Sequence, residues 1–307
     1  MRIAVPDLIS NSYFPAVAAV ELGFFQVEGL AAELKMVSPI PRAMAALRDG
    51  EIDFVAGPAH AALSAFPNWE GVKLVAALAQ KTFWLLILRA DLGAKPGDVN
   101  AVKGLRIGAA PGPEAALRRL LADAGIDLER DQVQLGPVPG ATDPGVSFGV
   151  HAAKSLEERI IDGFWANAMG SEVAVRSGAG QVILDVRRGV GPVSAQNYTF
   201  AALVTSDAMI DKSPDDVAAA VRAIVKVQHA LAYDPSIATQ VGDRLFPPEE
   251  AKYLAELVER DLPFYDPSIS ADVVTWLNQF CIDNGSLSRP VLYEQVVATQ
   301  FSGLWSG

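Results

Sequence analysis

Three times within its first ninety residues the chain runs through one order: a short apolar segment, a turn with polar or proline residues, then a helical stretch. IAVP (3–6) leads into Asn11-Ser12-Tyr13-Phe14 and PAVAAVELGFF. AAELKMV leads into Ser38-Pro39-Ile40-Pro41-Arg42 and AMAALRDG. IDFVAG leads into Pro58-Ala59-His60 and a third helical stretch. This alternation predicts an open α/β sheet of mostly parallel strands, because each helix carries the chain back before the next strand begins. Sheets of this kind bind ligands beyond the carboxyl ends of their strands, where helix N-termini gather. The three turns are therefore the first candidates for ligand contact.

With 307 residues, half of them hydrophobic, the chain is long enough for more than one core. A net charge of −11 with 25 Lys plus Arg argues against nucleic acid or an anionic membrane surface as the main partner, since both call for a basic face. A small anionic ligand needs only one or two local donors. No apolar run approaches the ~20 residues of a membrane span. The single cysteine, Cys281, permits neither an internal disulfide nor a thiolate metal cluster. No metal and no cofactor is expected. The first strand begins by Ile3 with no basic and apolar leader before it, so the chain is either a trimmed secreted protein or a cytoplasmic one.

LVAALAQ and the apolar FWLLILRADL close the first series. The Gly-, Pro- and Asp-rich GAKPGDVNAVKG marks a crossing into a second unit. There LRIGAA restarts the pattern, followed by Pro111-Gly112-Pro113-Glu114 and AALRRLLADAG. QVQLGPVP, a long loop GATDPGVSFG, the helical VHAAKSLEERI, IDGFWAN and GQVILDVRRG complete it. NYTFAALVTSD then reads as a returning strand. Ser213 is suited to cap the next helix, with Pro214 at its first position and Asp215 and Asp216 in its first turn. Further helices are expected over PEEAKYLAELVERD, SADVVTWLNQFCIDNG and YEQVVATQFSGLW, and no internal repeat of fixed period is evident. The expected organisation is a discontinuous first lobe (1–90 and 191–307, with the helical tail), a second lobe (91–190), and a ligand cleft between them spanned by a two-stranded hinge.

ELGFFQVEGL, ALRDGEIDFVAG, KGLRIGAAPG, IIDGFWAN, NYTFAALVTSD with SPDDVAAAVRAI, and LYEQVVATQFSGLW resemble, in order and spacing, the substrate-binding proteins of ABC importers. The similar branch is the taurine, alkanesulfonate, nitrate and thiamine-precursor group. The resemblance covers essentially the whole chain. It implies a type II periplasmic binding fold, a periplasmic location, a permease and ATPase as partners, a monomer, and a small, often anionic or heteroaromatic solute. The contact positions vary within that group, so the solute does not transfer with the fold.

The candidate contacts each carry a plainer reading beside the ligand role. Asn11 or Ser12 can cap the first helix, and Tyr13 or Phe14 can fill the core. Pro41 and Arg42 begin the second helix, where a guanidinium beside a helix N-terminus suits an oxyanion or is a solvated surface group. Ala59 and His60 turn out of the third strand, and the imidazole faces ligand, caps a helix or faces solvent. Thr82 and Phe83 precede the crossing strand, with Trp84 expected in the sheet. Ala110, Pro111 and Gly112 form a tight turn whose N–H groups are able to cradle an anion. Ser147, Trp165 and Asn167 lie at strand or loop ends of the second lobe. Asn197 and Tyr198 lie at the return crossing, touching ligand or only ordering it. The ligand expected of this set carries a carboxylate or sulfonate and an apolar or aromatic body.

Enzymes related to the same binding-protein group (a desulfinase, pyrimidine-precursor synthases, menaquinone-pathway lyases) make catalysis the alternative function, and a cytoplasmic metabolite-binding protein is a third. The desulfinase type needs a nucleophilic Cys, whereas Cys281 sits in an amphipathic tail helix beside Phe280 and is expected as a buried small hydrophobe. No catalytic residue is assigned, and the chain is read as a binding protein.

Overall fold

The computed structural model describes residues 1–8, 10–141 and 146–306, so part of the loop expected over 140–149 lies outside the described residues. In chain order the strands and helices are β1 (Arg2–Val5), α1 (Phe14–Glu21), α2 (Phe24–Val27), β2 (Glu33–Met36), α3 (Ile40–Arg48), β3 (Phe54–Pro58), β4 (Val72–Ala79), β5 (Leu85–Arg89), β6 (Arg106–Ala109), α4 (Glu114–Asp123), β7 (Gln134–Gly136), α5 (Phe148–Glu157), β8 (Gly163–Ala166), α6 (Ala168–Arg176) and β9 (Gly180–Leu184). They continue with β10 (Ala201–Ser206), α7 (Asp207–Lys212), α8 (Pro214–Tyr233), α9 (Ile237–Leu245), α10 (Pro248–Asp261), α11 (Ala271–Asp283) and α12 (Tyr293–Val296). Two compact units result. Unit 1 is Met1–Gln80 with Thr199–Gly307, and unit 2 is Lys81–Tyr198.

Unit 1 is built on a five-stranded sheet of order β2-β1-β3-β10-β4. β1 lies parallel between β2 and β3, which is why Ile3, Ala4 and Val5 are buried on both faces with no polar alternation. β2 forms the edge and carries the charged Glu33 and Lys35, which pair with each other. β10 runs antiparallel to both β3 and β4. The long helix α8 begins as expected with Pro214, Asp215 and Asp216. Ser213 stands at its N-cap without its hydroxyl capping, because α7 leads straight into it and the Ser213 N–H is taken by Met209 O.

Unit 2 repeats the arrangement with a sheet of order β7-β6-β8-β5-β9, in which β5 runs antiparallel to β8 and β9. Each sheet is therefore mixed, four strands one way and one against. The reason lies in the pairing register. Leu85 opens β5 opposite Ala166, the last residue of β8, and Ala201 opens β10 opposite Pro58, the last of β3. A strand that starts at the carboxyl edge of its sheet must run against its neighbours.

The first boundary shifts from the expected residue 90 to 80/81, since β5 pairs only with strands of unit 2. Residues 191–198 also remain with unit 2, where Thr82 N donates to Gln196 O at 2.8 Å and the Tyr198 hydroxyl donates to Asp123. In the tail, α9 was not anticipated. The helix expected over YEQVVATQFSGLW is only the short α12, followed by a turn at Thr299–Leu304 that packs back on β4 through Trp305 Nε1 to Val75 O at 2.9 Å.

The starts of the central strands are clamped alike in both units. The Arg2 backbone N–H and guanidinium donate to Asp53 (2.6 Å from N, 3.0 Å from Nη2), and Nη2 also reaches Gly50 O at 2.9 Å. In unit 2 Arg106 donates to Asp162 (3.0 Å from N, 2.8 Å from Nε), and its Nη2 reaches Arg159 O at 2.9 Å. The Arg106 side-chain hydrogen bonds hold Asp162 below the ordinary carboxylate range against the desolvation that raises it. For Asp53 desolvation is the largest single influence and raises it, but the combined Arg2 hydrogen bonds bring it lower than usual.

Candidate functional site

In unit 1 the carboxyl ends of β1, β2 and β3 lie side by side, and their turns bring Ser10–Phe14, Pro41–Arg42 and Ala59–His60 to one edge of the sheet. Neither Asn11 nor Ser12 caps α1. Tyr13 occupies the N-cap with helical backbone angles and no side-chain cap. Asn11 is turned inward, its Nδ2 donating to the fully buried Asp261 and its carbonyl accepting from Tyr265 Oη at 2.6 Å. The hydroxyls of Ser10 and Ser12 are buried without a hydrogen-bond partner among the described residues. Buried hydroxyls are normally satisfied, so two orphans in one turn mark a place where a ligand atom or water is needed. Tyr13 is buried, and Phe14 packs fully in the core.

Pro41 stands at the second position of α3, and no acidic side chain or cap occupies that first turn. Arg42 is exposed at the third position, and its guanidinium has no ion pair or hydrogen bond among the described residues. Ala59 contributes only its N–H, which donates to Phe200 O at 2.9 Å. His60 is neither solvent-facing nor a cap. It is buried, with Nδ1 3.0 Å from Thr199 Oγ1 and its ring edge-on to Phe280 at 5.3 Å. Phe280 brings α11 against the site from far along the chain. The adjacent Cys281 is fully buried, and burial pushes its thiol well above the usual range, which disfavours the thiolate that a nucleophile requires.

In unit 2 the Ala110–Pro111–Gly112 turn enters α4 with Gly112 at φ +98°, a backbone region open to glycine. Two local N–H groups are already engaged, Glu114 N with Ala110 O at 3.0 Å and Ala115 N with Gly112 O at 3.2 Å. Glu114 places a carboxylate in the first turn of α4. Both facts weaken this turn as an anion cradle, because the positive helix end is already answered by a carboxylate.

The first turns of α5 and α6 differ. Neither holds an acidic residue, and they approach until a Cβ on Gly170 would fall 2.5 Å from the Gly149 carbonyl. Asn167 caps α6, its Oδ1 accepting from Gly170 N at 3.2 Å. Ser147 occupies the N-cap of α5, but its hydroxyl is buried and has no partner among the described residues.

A row of rings lines the same edge of unit 2. Phe83 and Trp84 lie 4.4 Å apart by centroid, and Trp84 and Trp165 6.2 Å apart. Trp165 and Thr82 are fully buried, and the indole Nε1 and the Thr82 hydroxyl have no partner among the described residues. Beyond the end of β9, in the turn Val186–Arg188, Arg187 lies 97 % buried. Its guanidinium sits 5.6 Å over the Phe83 ring, and Nη2 is 3.4 Å from Lys81 O. Asn197 is half-buried. Tyr198 is bound to Asp123, which Arg119 also holds at 2.7 Å, and its phenol is pushed well above the usual range by burial first and then by that carboxylate.

Sequence inspection missed Ser10, Arg187, Thr199, Asp261 and Phe280. Of these only Arg187 left a signal, as two arginines directly after the apolar strand GQVILDV. Among the described residues no group of three or more His, Cys, Asp or Glu converges as a metal site would require.

A family model described as NMT1/THI5 like matches residues 10–238. No curated protein matches the sequence. Solved structures do match the fold. The alkanesulfonate-binding protein SsuA of Xanthomonas axonopodis pv. citri, bound to MOPS, is 15 % identical with a TM-score of 0.69, covering 97 % of each chain. The periplasmic nitrate-binding protein NrtA of Synechocystis PCC 6803 is 14 % identical with a TM-score of 0.69, covering 99 % of this chain and 86 % of its own. The protein DszB, in complex with biphenyl-2-sulfinic acid, is 16 % identical with a TM-score of 0.65, covering 98 % of this chain and 97 % of its own. These likenesses establish the two-sheet α/β fold of type II periplasmic binding proteins expected from the sequence.

Proposed function

Because the chain belongs to the NMT1/THI5-like family, we propose that it is the solute-binding component of an ABC importer, capturing a small organic oxyanion at the strand ends of its two units. The observation that carries this reading is the set of buried polar atoms at those ends with no partner among the described residues: the hydroxyls of Ser10 and Ser12 in unit 1, and Thr82, Ser147 and Trp165 in unit 2. A fold that leaves several buried donors unsatisfied at the ligand-binding edge of an α/β sheet is prepared for a polar guest. Sulfonate- and nitrate-binding relatives of the same fold support an oxyanion. Hinge closure on the solute belongs to the same reading. The protein works as a periplasmic monomer that delivers its cargo to a permease and ATPase.

A thermal-shift screen of ligand-stripped protein tests the reading. Its panel holds nitrate, methanesulfonate, benzenesulfonate, benzoate, benzenesulfonamide, benzamide and aminopyrimidines. A ligand at a hundredfold excess over Kd adds about 2.7 kcal/mol, a shift of several degrees. Recovery of the bound compound unchanged by mass spectrometry is the expected result. Conversion to product would instead favour the enzyme reading that DszB, a desulfurization enzyme of this fold, keeps in view. The buried, high-pKa Cys281 weighs against a desulfinase of the thiolate type. No shift with any compound would contradict a receptor for small oxyanions.

A further inference from the structure

The amino edge of the unit 1 sheet holds a cavity that the oxyanion reading does not use. β3 and β4 both run against β10 and are therefore parallel to each other. Glu70 lies just before β4 opens at Val72, so it stands at the edge opposite to the turn Ala59–His60 that follows β3. There the turn Pro67–Trp69 and the segment joining α11 to α12 enclose a cavity of about 400 Å³.

The charged groups of its lining are of opposite sign, Glu70 beside the turn and Arg289 on the tail segment. Both are exposed, and neither has an ion pair or hydrogen bond among the described residues, with the other or with a third group. Opposite charges that line one cavity without meeting leave room for a guest between them. Asn68 and Gln295 add side-chain amides to the lining. The Gln295 Oε1 already accepts from Leu292 N at 3.1 Å, which leaves its amide N–H groups as donors. Val291 and Leu292 supply an apolar flank, and Leu292 is 70 % exposed.

Both walls are held in place. On one side Asn68 and Trp69 take φ of +56° and +64°, consecutive left-handed positions that Asn tolerates and Trp rarely adopts. Trp69 is buried, and its indole Nε1 has no partner among the described residues. Strain of this kind persists only where the surroundings impose it, and it gathers at ligand sites. On the other side Val291 O accepts from Asn278 Nδ2 at 2.9 Å, and Glu294 O and Gln295 O each accept from Lys73 Nζ at 2.8 Å. Lys73 belongs to β4, so the tail segment is pinned to the strand into which the turn leads.

We infer that this cavity is a second ligand site that takes a small zwitterion of the α-amino-acid type, its ammonium at Glu70, its carboxylate at Arg289 and its apolar side chain over Val291 and Leu292. A simple anion would meet Glu70 and a simple cation would meet Arg289, so a guest with both charges is the one that answers both. The volume suits a guest of that size. The site stands independently of the oxyanion reading.

The test follows the Asn68 side-chain amide in proton–nitrogen correlation spectra, its signal being identified by loss in N68D, so that binding elsewhere on the protein is not counted. Leucine is compared with N-acetylleucine, which lacks the cation, and with leucinamide, which lacks the carboxylate. Because both protein charges are exposed, leucine should bind with a Kd on the order of 1 mM, and each derivative about 2- to 5-fold more weakly. E70Q should weaken leucine by that same factor and leave N-acetylleucine unchanged, whereas R289Q should weaken leucine and leave leucinamide unchanged. Both substitutions lie at the surface, and circular dichroism checks that the variants fold.

An Asn68 signal that stays in place with leucine overturns the inference. So does equal affinity for leucine and both derivatives, and so do two folded variants that bind leucine as wild type does. Each of these results leaves the oxyanion receptor reading standing.

Discussion

At the starts of their strands the two units are built alike, and at the ends they diverge. Arg2 and Asp53 in unit 1 have their counterparts in Arg106 and Asp162 in unit 2, down to the backbone N–H that donates to the same carboxylate and the guanidinium that reaches a carbonyl before the third strand. The sheets share one spatial order, each with its post-crossing strand in the fourth place and reversed. At the carboxyl edges nothing of this likeness survives. Unit 1 presents neutral hydroxyls, a buried Asn–Asp pair and an imidazole bound to Thr199. Unit 2 presents a buried guanidinium, a row of rings and two helix ends in backbone contact. The common end holds a strand in register, a requirement both units share, whereas the divergent end is where sheets of this kind vary with function.

That contrast makes the units separable by mutation. The largest effect is expected at Gly170, where a methyl group would meet the Gly149 backbone at 2.5 Å and neither helix can yield without losing its packing. Gly170→Ala should destabilise by about 3 kcal/mol, read as a lower midpoint in urea. In unit 1 the comparable Gly57→Ala meets only the flexible end of Ile40 at 2.7 Å and should cost about 1 kcal/mol. Equal losses at the two sites would show that the close helix contact of unit 2 has no special weight.

Next come the clamps. Asp162→Asn and Asp53→Asn should each cost about 2 kcal/mol at pH 7, from the loss of charge-assisted bonds to Arg106 or Arg2. Both carboxylates titrate lower in the folded protein than in the unfolded chain. Their stabilisation is therefore complete above the ordinary Asp value of about 3.9 and is lost as the pH falls through the depressed native value. Wild type should lose stability more steeply than either variant as the pH falls below about 4, and parallel curves would contradict the clamp. Smaller still, Arg42→Ala should weaken anion binding by about threefold, as befits an exposed cation. Tyr198→Phe, which removes the bond to Asp123, should cost about 1 kcal/mol and leave ligand binding nearly unchanged.

The framework was largely legible because hydrophobic runs and turn residues are local. IAVP, IDFVAG, LRIGAA and IDGFWAN each declare a strand and the turn after it. The reversed strands β5 and β10 were not legible, since an apolar strand looks the same in either direction and only the partner register at Ala166 and Pro58 fixes its sense. The structural duplication escaped notice for a related reason. It survives as an Arg-Ile pair and an Ile-Asp pair in each unit, with Arg and Asp 51 residues apart in one and 56 in the other.

At the candidate site, the turn positions followed from the crevice rule, but their partners did not. The Asn11 bond to Asp261 and the His60 contacts with Thr199 and Phe280 join residues more than a hundred positions apart. Arg187 reads on paper as one of two arginines closing a strand. Only the fold turns one guanidinium inward over Phe83 and leaves the next in a part-buried pair with Asp185.

The indole N–H of Trp165 reports most directly on whether the unpartnered hydroxyls and indole at the strand ends await a solute. The measurement is a proton–nitrogen correlation spectrum of the five tryptophan indoles during titration with benzenesulfonate and then benzenesulfonamide, the Trp165 signal being identified by its loss in W165F. A receptor whose oxyanion meets this N–H should show that one signal moving downfield and saturating with benzenesulfonate, and moving little with the sulfonamide. Saturable binding that leaves the Trp165 signal in place, or an equal response to both compounds, would contradict the account.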